Sequence, residues 1–173
     1  MRKIVFTGPE STGKTTLVEH LGKHLQMPVV KEVARDYIHG LDRPYQYEDL
    51  LNIAMLQMSE EERIRAMHGG LLICDTDLLT IKIWADDKFH TCEQWLSHAF
   101  LDRSADVYFL CKPDFPWAPD PQREDPNRRE HLYHVFREHL IQYKKRFIEL
   151  GGTVEARMAE VLHVLSENTI KTF

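Results

Sequence analysis

An α/β fold, a mostly parallel five-stranded sheet with helices on both faces, is predicted for this chain by three observations. Apolar runs of strand length alternate with segments of helical period, the pattern of strands joined by crossover helices. Residues 8–15 read Gly8-Pro9-Glu10-Ser11-Thr12-Gly13-Lys14-Thr15, or G-x-x-x-x-G-K-[ST]. An apolar run, Ile4-Val5-Phe6, comes directly before that motif, and a helical pattern comes directly after it. In that context the motif is the phosphate-binding P-loop, and the fold class is a P-loop NTPase three-layer sandwich.

The elements follow in order. Lys3–Thr7 is the first strand. The helix from Thr16 to Gln26 places Leu17, Leu21 and Leu25 on one face at four-residue steps. Pro28 ends it, and Val29-Val30 opens a short second strand. Glu32 to His39 is a short helix or turn. Tyr47 to Met67 is a long helix with Leu50, Leu51, Ala54, Met55 and Met58 inward. Its run Ser59-Glu60-Glu61-Glu62 is expected to be a solvated acidic face, and Gly69-Gly70 stops it. Leu71-Leu72-Ile73-Cys74 is a buried strand closing on Asp75. Leu78–Ala85 and Cys92–Leu101 are expected to be helices, with Asp86-Asp87-Lys88 a charged turn between them. Asp106–Leu110 is a strand. Lys112–Arg129 carries five prolines together with Arg123, Arg128 and Arg129, so it reads as a semi-rigid loop. Glu130–Leu150 is expected to be one helix ended by Gly151-Gly152, followed by a strand at Thr153-Val154-Glu155 and a last helix from Met158 to Glu167.

Composition narrows the function classes. The 173 residues are long enough for one cored domain, taken as 1–173 with a lid at about 113–129. A net charge of −5 argues against a nucleic-acid binder. No window approaches the ~18 consecutive apolar residues of a membrane span, and with a strand expected from residue 3 no signal peptide is expected. Cys74, Cys92 and Cys111 form no disulfide framework, so a cytoplasmic setting is expected. His20 with His24, and His131 with His134, lack a third ligand at zinc-like spacing and read as exposed helix residues.

The P-loop implies a nucleoside triphosphate. Gly8 and Gly13 let the backbone curl so that its N–H groups face phosphate oxygens, and the following helix adds its positive end. Lys14 reaches the β- and γ-phosphates, while the Thr15 hydroxyl can hold Mg²⁺. Glu10, Ser11, Thr12 and Thr16 complete the nucleotide-binding set. Magnesium also needs a carboxylate from the carboxyl edge of the sheet, and Asp75 closes a buried strand there. Asp77 is the alternative, although it also suits an N-cap for the helix at Leu78. Cys111-Lys112-Pro113-Asp114 is similar to the guanine-reading N-K-x-D loop, but cysteine replaces the asparagine. Glu32, Arg35 and Asp36 stand where an acceptor pocket would lie, and a carboxylate there can accept a hydroxyl proton or hold sugar hydroxyls. The same residues fit a surface pair at i, i+3. A proline- and arginine-rich lid would exclude water and neutralise the phosphoryl in flight.

Four blocks together resemble the ribosylnicotinamide kinase domain of the bifunctional bacterial NadR proteins, within the nucleoside and nucleotide kinase group. Residues 8–15 are similar to G-x-E-S-[ST]-G-K-[ST], and Glu32-Val33-Ala34-Arg35-Asp36 is similar to E-x-x-R-[ED]. Asp75-Thr76-Asp77 matches D-T-D, and Trp117-Ala118-Pro119-Asp120-Pro121-Gln122-Arg123 is similar to W-x-x-D-x-x-R. The resemblance implies transfer from ATP to the ribose 5′-hydroxyl of ribosylnicotinamide, giving nicotinamide mononucleotide. Lys14 and Thr15 would hold the triphosphate and Mg²⁺, and Asp75 would complete the metal site. Glu32 or Asp36 would bind ribose or act as base, Arg35 and Asp77 would contact substrate, and Arg123 would act from the lid. The expected partners are small molecules alone. The family's adenylyltransferase domain and DNA-binding segment have no counterpart here, so a free-standing kinase-like domain is expected. Other nucleosides, or ATP hydrolysis in a regulatory protein, are the alternatives. A cationic nicotinamide ring would suit an acidic or aromatic pocket, with Tyr37, Tyr45, Tyr47, Trp84 and Trp117 available as aromatics.

Overall fold

The computed structural model describes residues 3–117 and 127–170. Among these, the strands are β1 (Lys3–Thr7), β2 (Val29–Val30), β3 (Leu72–Asp75), β4 (Val107–Cys111) and β5 (Phe147–Leu150). The helices are α1 (Lys14–Leu25), α2 (Val33–His39), α3 (Tyr47–His68), α4 (Leu78–Phe89), α5 (Gln94–Asp102), α6 (Arg129–Gln142) and α7 (Val154–Ile170). The sheet order is β2-β3-β1-β4-β5, and every neighbouring pair is parallel. A central strand in such a sheet is buried on both faces, so β1, β3 and β4 are continuous apolar runs.

Alternation along each strand divides the core. Val5, Cys74, Tyr108 and Leu110 face a cluster built with α3, α4, α5 and α6. Ile4, Phe6, Ile73 and Phe109 face the other side, against Leu17 and Leu21 of α1 and Val161 and Val164 of α7. Phe6 and Phe109 stack there with ring centres 5.1 Å apart. The three-layer parallel sandwich is therefore the observed architecture, and the carboxyl ends of β1, β3 and β4 share one edge.

Three local expectations are corrected. The helix expected over 130–150 stops at Gln142, because Lys144 takes a left-handed φ of 52°. Phe147–Leu150 then forms the fifth strand, pairing in register with Tyr108–Cys111. Val154 opens α7 instead of sitting in a strand, with the Thr153 hydroxyl accepting the Ala156 N–H at 3.3 Å. Residues 86–88 are the last turn of α4, closed by left-handed His90 and tied by a Lys82–Asp86 pair at 2.6 Å.

The acidic run on α3 is split by the helix period. Glu60 and Glu62 are solvated and pair with Arg63 and Arg103. Glu61 turns inward beside Gln57 and Ile64, is fully buried, and accepts both of its contacts from Lys3 Nζ at 2.9 Å. Burial pushes the Glu61 carboxyl above its ordinary value, opposed by the Lys3 ammonium. His20, His24, His131 and His134 are exposed on their helices, whereas Cys74 and Cys111 are core residues.

Candidate active site

The loop between β1 and α1 is shaped by backbone conformations that most side chains avoid. Gly8 has φ 124° and Gly13 has φ 79°, with Ser11 at 57° between them. At Gly8 the main chain passes so close to β4 that a Cβ would stand 2.9 Å from the Cys111 carbonyl oxygen. Gly13 is the N-cap of α1, so the helix's first N–H groups open toward the loop. The Thr12 hydroxyl donates to the Pro9 carbonyl at 2.9 Å and braces the curl. Lys14 Nζ lies across its own loop, donating to the carbonyls of Gly8 at 3.0 Å and Pro9 at 2.7 Å. A triphosphate in the loop would offer that ammonium stronger, charged acceptors.

Asp75 ends β3 beside this loop and is 2% exposed. The Thr15 hydroxyl donates to its Oδ2 at 2.6 Å. Its Oδ1 is buried with no hydrogen-bond partner among the described residues. Burial pushes the Asp75 carboxyl up, while Lys14, the Thr15 hydroxyl and Arg35 pull it back. A hydroxyl next to a buried carboxylate with an unsatisfied oxygen is a donor set that fits a hard divalent cation such as Mg²⁺.

Asp77 has a different position from the one expected for a substrate contact. It is 1% exposed and accepts from the Leu79 N–H at 3.0 Å, capping α4. Its other oxygen accepts from the Tyr108 hydroxyl at 2.9 Å and stands 3.5 Å from Lys3 Nζ. Asp77 therefore turns into the core beneath the sheet edge. Thr76 between the two aspartates has φ 65°, an uncommon conformation for a β-branched residue, and its N–H donates to the Phe6 carbonyl at 3.0 Å. The strained residue lets Asp75 face the loop while Asp77 faces inward.

A cavity of about 320 Å³ joins the loop to the second strand's end. Residues 10–16 form one wall, and Glu32, Arg35, Ile38 and Trp84 form the other. Glu32 and Arg35 also line an adjoining cavity of about 200 Å³, where Asp36 and Asp75 lie. Of the three residues expected on the acceptor side, Glu32 and Arg35 share the main cavity with Lys14, and Asp36 borders only the neighbour. The helix α2 that carries them is tied to α3, since Tyr37 donates to Asp49 at 3.1 Å. Arg43 and the Gln46 N–H, each at 2.7 Å, also bind Asp49 and hold its carboxyl well below the usual carboxylate range.

Arg123 and residues 118–126 of the expected lid lie outside the described residues. At the lid's far root, Arg129 donates to the carbonyls of Phe115 at 2.9 Å and Ser11 at 3.3 Å. Arg128 pairs with Asp87 of α4 at 2.8 Å. Asp114, the aspartate of the Lys-x-Asp triplet, is engaged by Arg157 and by the Gly152 N–H. The sequence does not single out Ile38 or Arg157, and leaves Trp84 among five aromatics. Arg157 had a readable signal, a charge set three residues after Val154 and four before Val161 on an apolar helical stripe.

Among the described residues no helix is long and apolar enough to cross a membrane. No curated protein matches the chain. Several solved structures share its fold. A NadR protein in complex with NR superposes with a TM-score of 0.82 at 21% identity, covering 96% of this chain and 51% of that one. A NadR protein in complex with NAD and AMP-PNP gives 0.71 at 19% identity, covering 94% and 48%. Thymidylate kinase from Candida albicans gives 0.71 at 15% identity, covering 97% and 92%. The chain thus spans about half the length of the NadR structures it matches. The AAA domain family matches residues 3–157, which takes in the phosphate loop, Asp75 and both walls of the cavity, and the chain belongs to that family.

Proposed function

We propose that the chain is an ATP-dependent kinase that phosphorylates the ribose 5′-hydroxyl of ribosylnicotinamide to give nicotinamide mononucleotide. One observation carries this reading: the phosphate loop and a carboxylate, Glu32, line the same cavity, with Trp84 beside them. A hydrolase needs the loop, a water and a group that orients that water, but no surface for a second substrate. A kinase needs a second wall with a group that can receive a hydroxyl proton and a surface for the acceptor. Trp84 supplies a planar face, which suits a cationic nicotinamide ring. The fold likeness to NadR in complex with NR supports the same choice.

In the proposed reaction the 5′-oxygen attacks the γ-phosphorus of ATP. The bond from that phosphorus to the β–γ bridging oxygen breaks, and ADP leaves. The hydroxyl proton passes to Glu32. Lys14 and the loop N–H groups bind the phosphate oxygens and stabilise charge as it shifts onto ADP. Thr15 and Asp75 would hold Mg²⁺, which neutralises phosphate charge when bound. Arg35 sits beside Glu32 and orients the acceptor or its incoming phosphate. The proposed partners are these small molecules, and a cytoplasmic setting is proposed for the same chemistry.

The test is incubation with Mg·ATP and a panel of nucleosides, with products identified by mass. Phosphorylated ribosylnicotinamide as the preferred product is the expected result. Preference for another nucleoside would move the acceptor, and ADP without any phosphorylated nucleoside would contradict the kinase reading.

A further inference from the structure

Arg157 of α7 is 1% exposed. A guanidinium so deeply buried must have its donors satisfied, and here they go to three loops at the nucleotide edge of the sheet. Nε donates to the Gly152 carbonyl at 3.1 Å, and Nη2 donates to the Lys112 carbonyl at 3.1 Å. Nη1 donates to the Thr12 carbonyl of the phosphate loop at 2.8 Å. Asp114 forms an ion pair with the same group and also accepts the Gly152 N–H at 2.7 Å. The guanidinium carbon lies 4.4 Å from the centre of the Phe115 ring. Phe115 in turn closes against the loop, since a Cβ on Gly13 would stand 2.9 Å from its ring edge.

We infer that Arg157 is a positioning residue for the phosphate cradle, acting on the Thr12–Gly13 peptide from the side away from the ligand. A trans peptide is planar, so its C=O and N–H point in opposite directions. Drawing the Thr12 carbonyl to Arg157 turns the Gly13 N–H the other way, and Gly13 lines the cavity. The Phe115 ring, stacked on the guanidinium, supports Gly13 in its left-handed conformation. One side chain on the last helix thus sets a donor direction in a loop 145 residues earlier in the chain. Such prior ordering lowers the cost of arranging donors around phosphate when the ligand arrives.

This inference rests on the nucleotide-binding reading, and calorimetric titration separates the two. The probes are Mg·ATP and inorganic triphosphate, which shares the phosphates but lacks the nucleoside. Arg157→Lys keeps the charge but cannot hold three carbonyls and the ring together. It is expected to weaken both probes by about tenfold, the scale of one lost hydrogen bond to a charged group. A residue that only stabilised the fold would lower the melting temperature and leave the affinity of folded protein unchanged. Unchanged affinity in folded Arg157→Lys overturns the inference. If that variant does not fold, Asp114→Asn, an exposed change that loosens the guanidinium, is expected to cost about threefold; no change there overturns the inference equally. If the unmodified chain binds neither probe, the nucleotide reading itself fails and the inference falls with it.

Discussion

The phosphate wall of the cavity is held from behind by buried groups, whereas the proposed acceptor wall is carried mainly by a seven-residue helix with one buried side chain, Ala34. Behind the phosphate loop stand Asp75 at the end of a central strand, the Thr12 hydroxyl, and Arg157 with its carbonyl partners. On the other side, Arg35 and Asp36 are exposed, and α2 is anchored through Tyr37 to Asp49. The difference matches the two tasks. Phosphates are the same in every turnover and reward a rigid, prearranged set of donors. An acceptor must enter, be recognised and leave, which suits a wall on a short element with fewer buried contacts.

Substitutions can break this contrast at either wall. The largest effect is expected from Lys14→Ala, which should cut phosphoryl transfer by about a hundredfold or more while the melting temperature stays near that of the unmodified chain. Near-normal turnover would remove the loop from the chemistry. Asp75→Asn should reduce Mg²⁺-dependent turnover by a similar factor, with part of the loss recovered by raising the Mg²⁺ concentration. Loss that no Mg²⁺ concentration relieves would assign Asp75 to the fold instead. Glu32→Gln should lower kcat by about a hundredfold and Asp36→Asn by only a few-fold, because only Glu32 shares the main cavity with Lys14. Equal effects would sink the assignment of Glu32 as proton acceptor. Trp84→Leu should raise the acceptor's KM by about tenfold and leave the KM for ATP unchanged. A change in the ATP constant alone would put Trp84 on the phosphate wall.

The smallest effect concerns the anchor of the acceptor wall. The carboxyl of Asp49 is held below its ordinary value by Arg43, with the Gln46 N–H and Tyr37 assisting. A depressed carboxyl stabilises the fold above its unfolded value of about 3.9, and that contribution is lost as the pH falls toward the folded value. The urea midpoint should therefore fall further between pH 6 and pH 3 in the unmodified chain than in Asp49→Asn. Equal losses in both would show that Asp49 does not hold α2 and α3 together.

How much was legible follows the same division. Gly8, Gly13 and Lys14 could be read directly because a curled backbone against phosphate restricts residue type locally. Asp75 could be read because a buried apolar strand ending in aspartate points to one edge of the sheet. The inward turn of Asp77 and Glu61 escapes the sequence for one reason. Each is a charge whose partner, Lys3, lies far away in sequence: for Asp77 local pattern offers the N-cap and the resemblance a substrate contact, and for Glu61 local pattern offers a solvated face. The fifth strand is hidden because Phe147–Leu150 continues the helical spacing of α6 in sequence, although the left-handed turn at Lys144 separates the two. Arg157 was legible only as an anomaly on an apolar stripe, since its partners at Thr12, Lys112 and Gly152 come together through the sheet alone.

The central claim is that both walls act on one phosphoryl group. It is tested most directly by the stoichiometry of the reaction, measured as nicotinamide mononucleotide formed per ADP released from ATP and ribosylnicotinamide. The account predicts one for one, with ADP release slow until the nucleoside is added. ADP released at the same rate with and without the nucleoside, and no phosphorylated product, would contradict it.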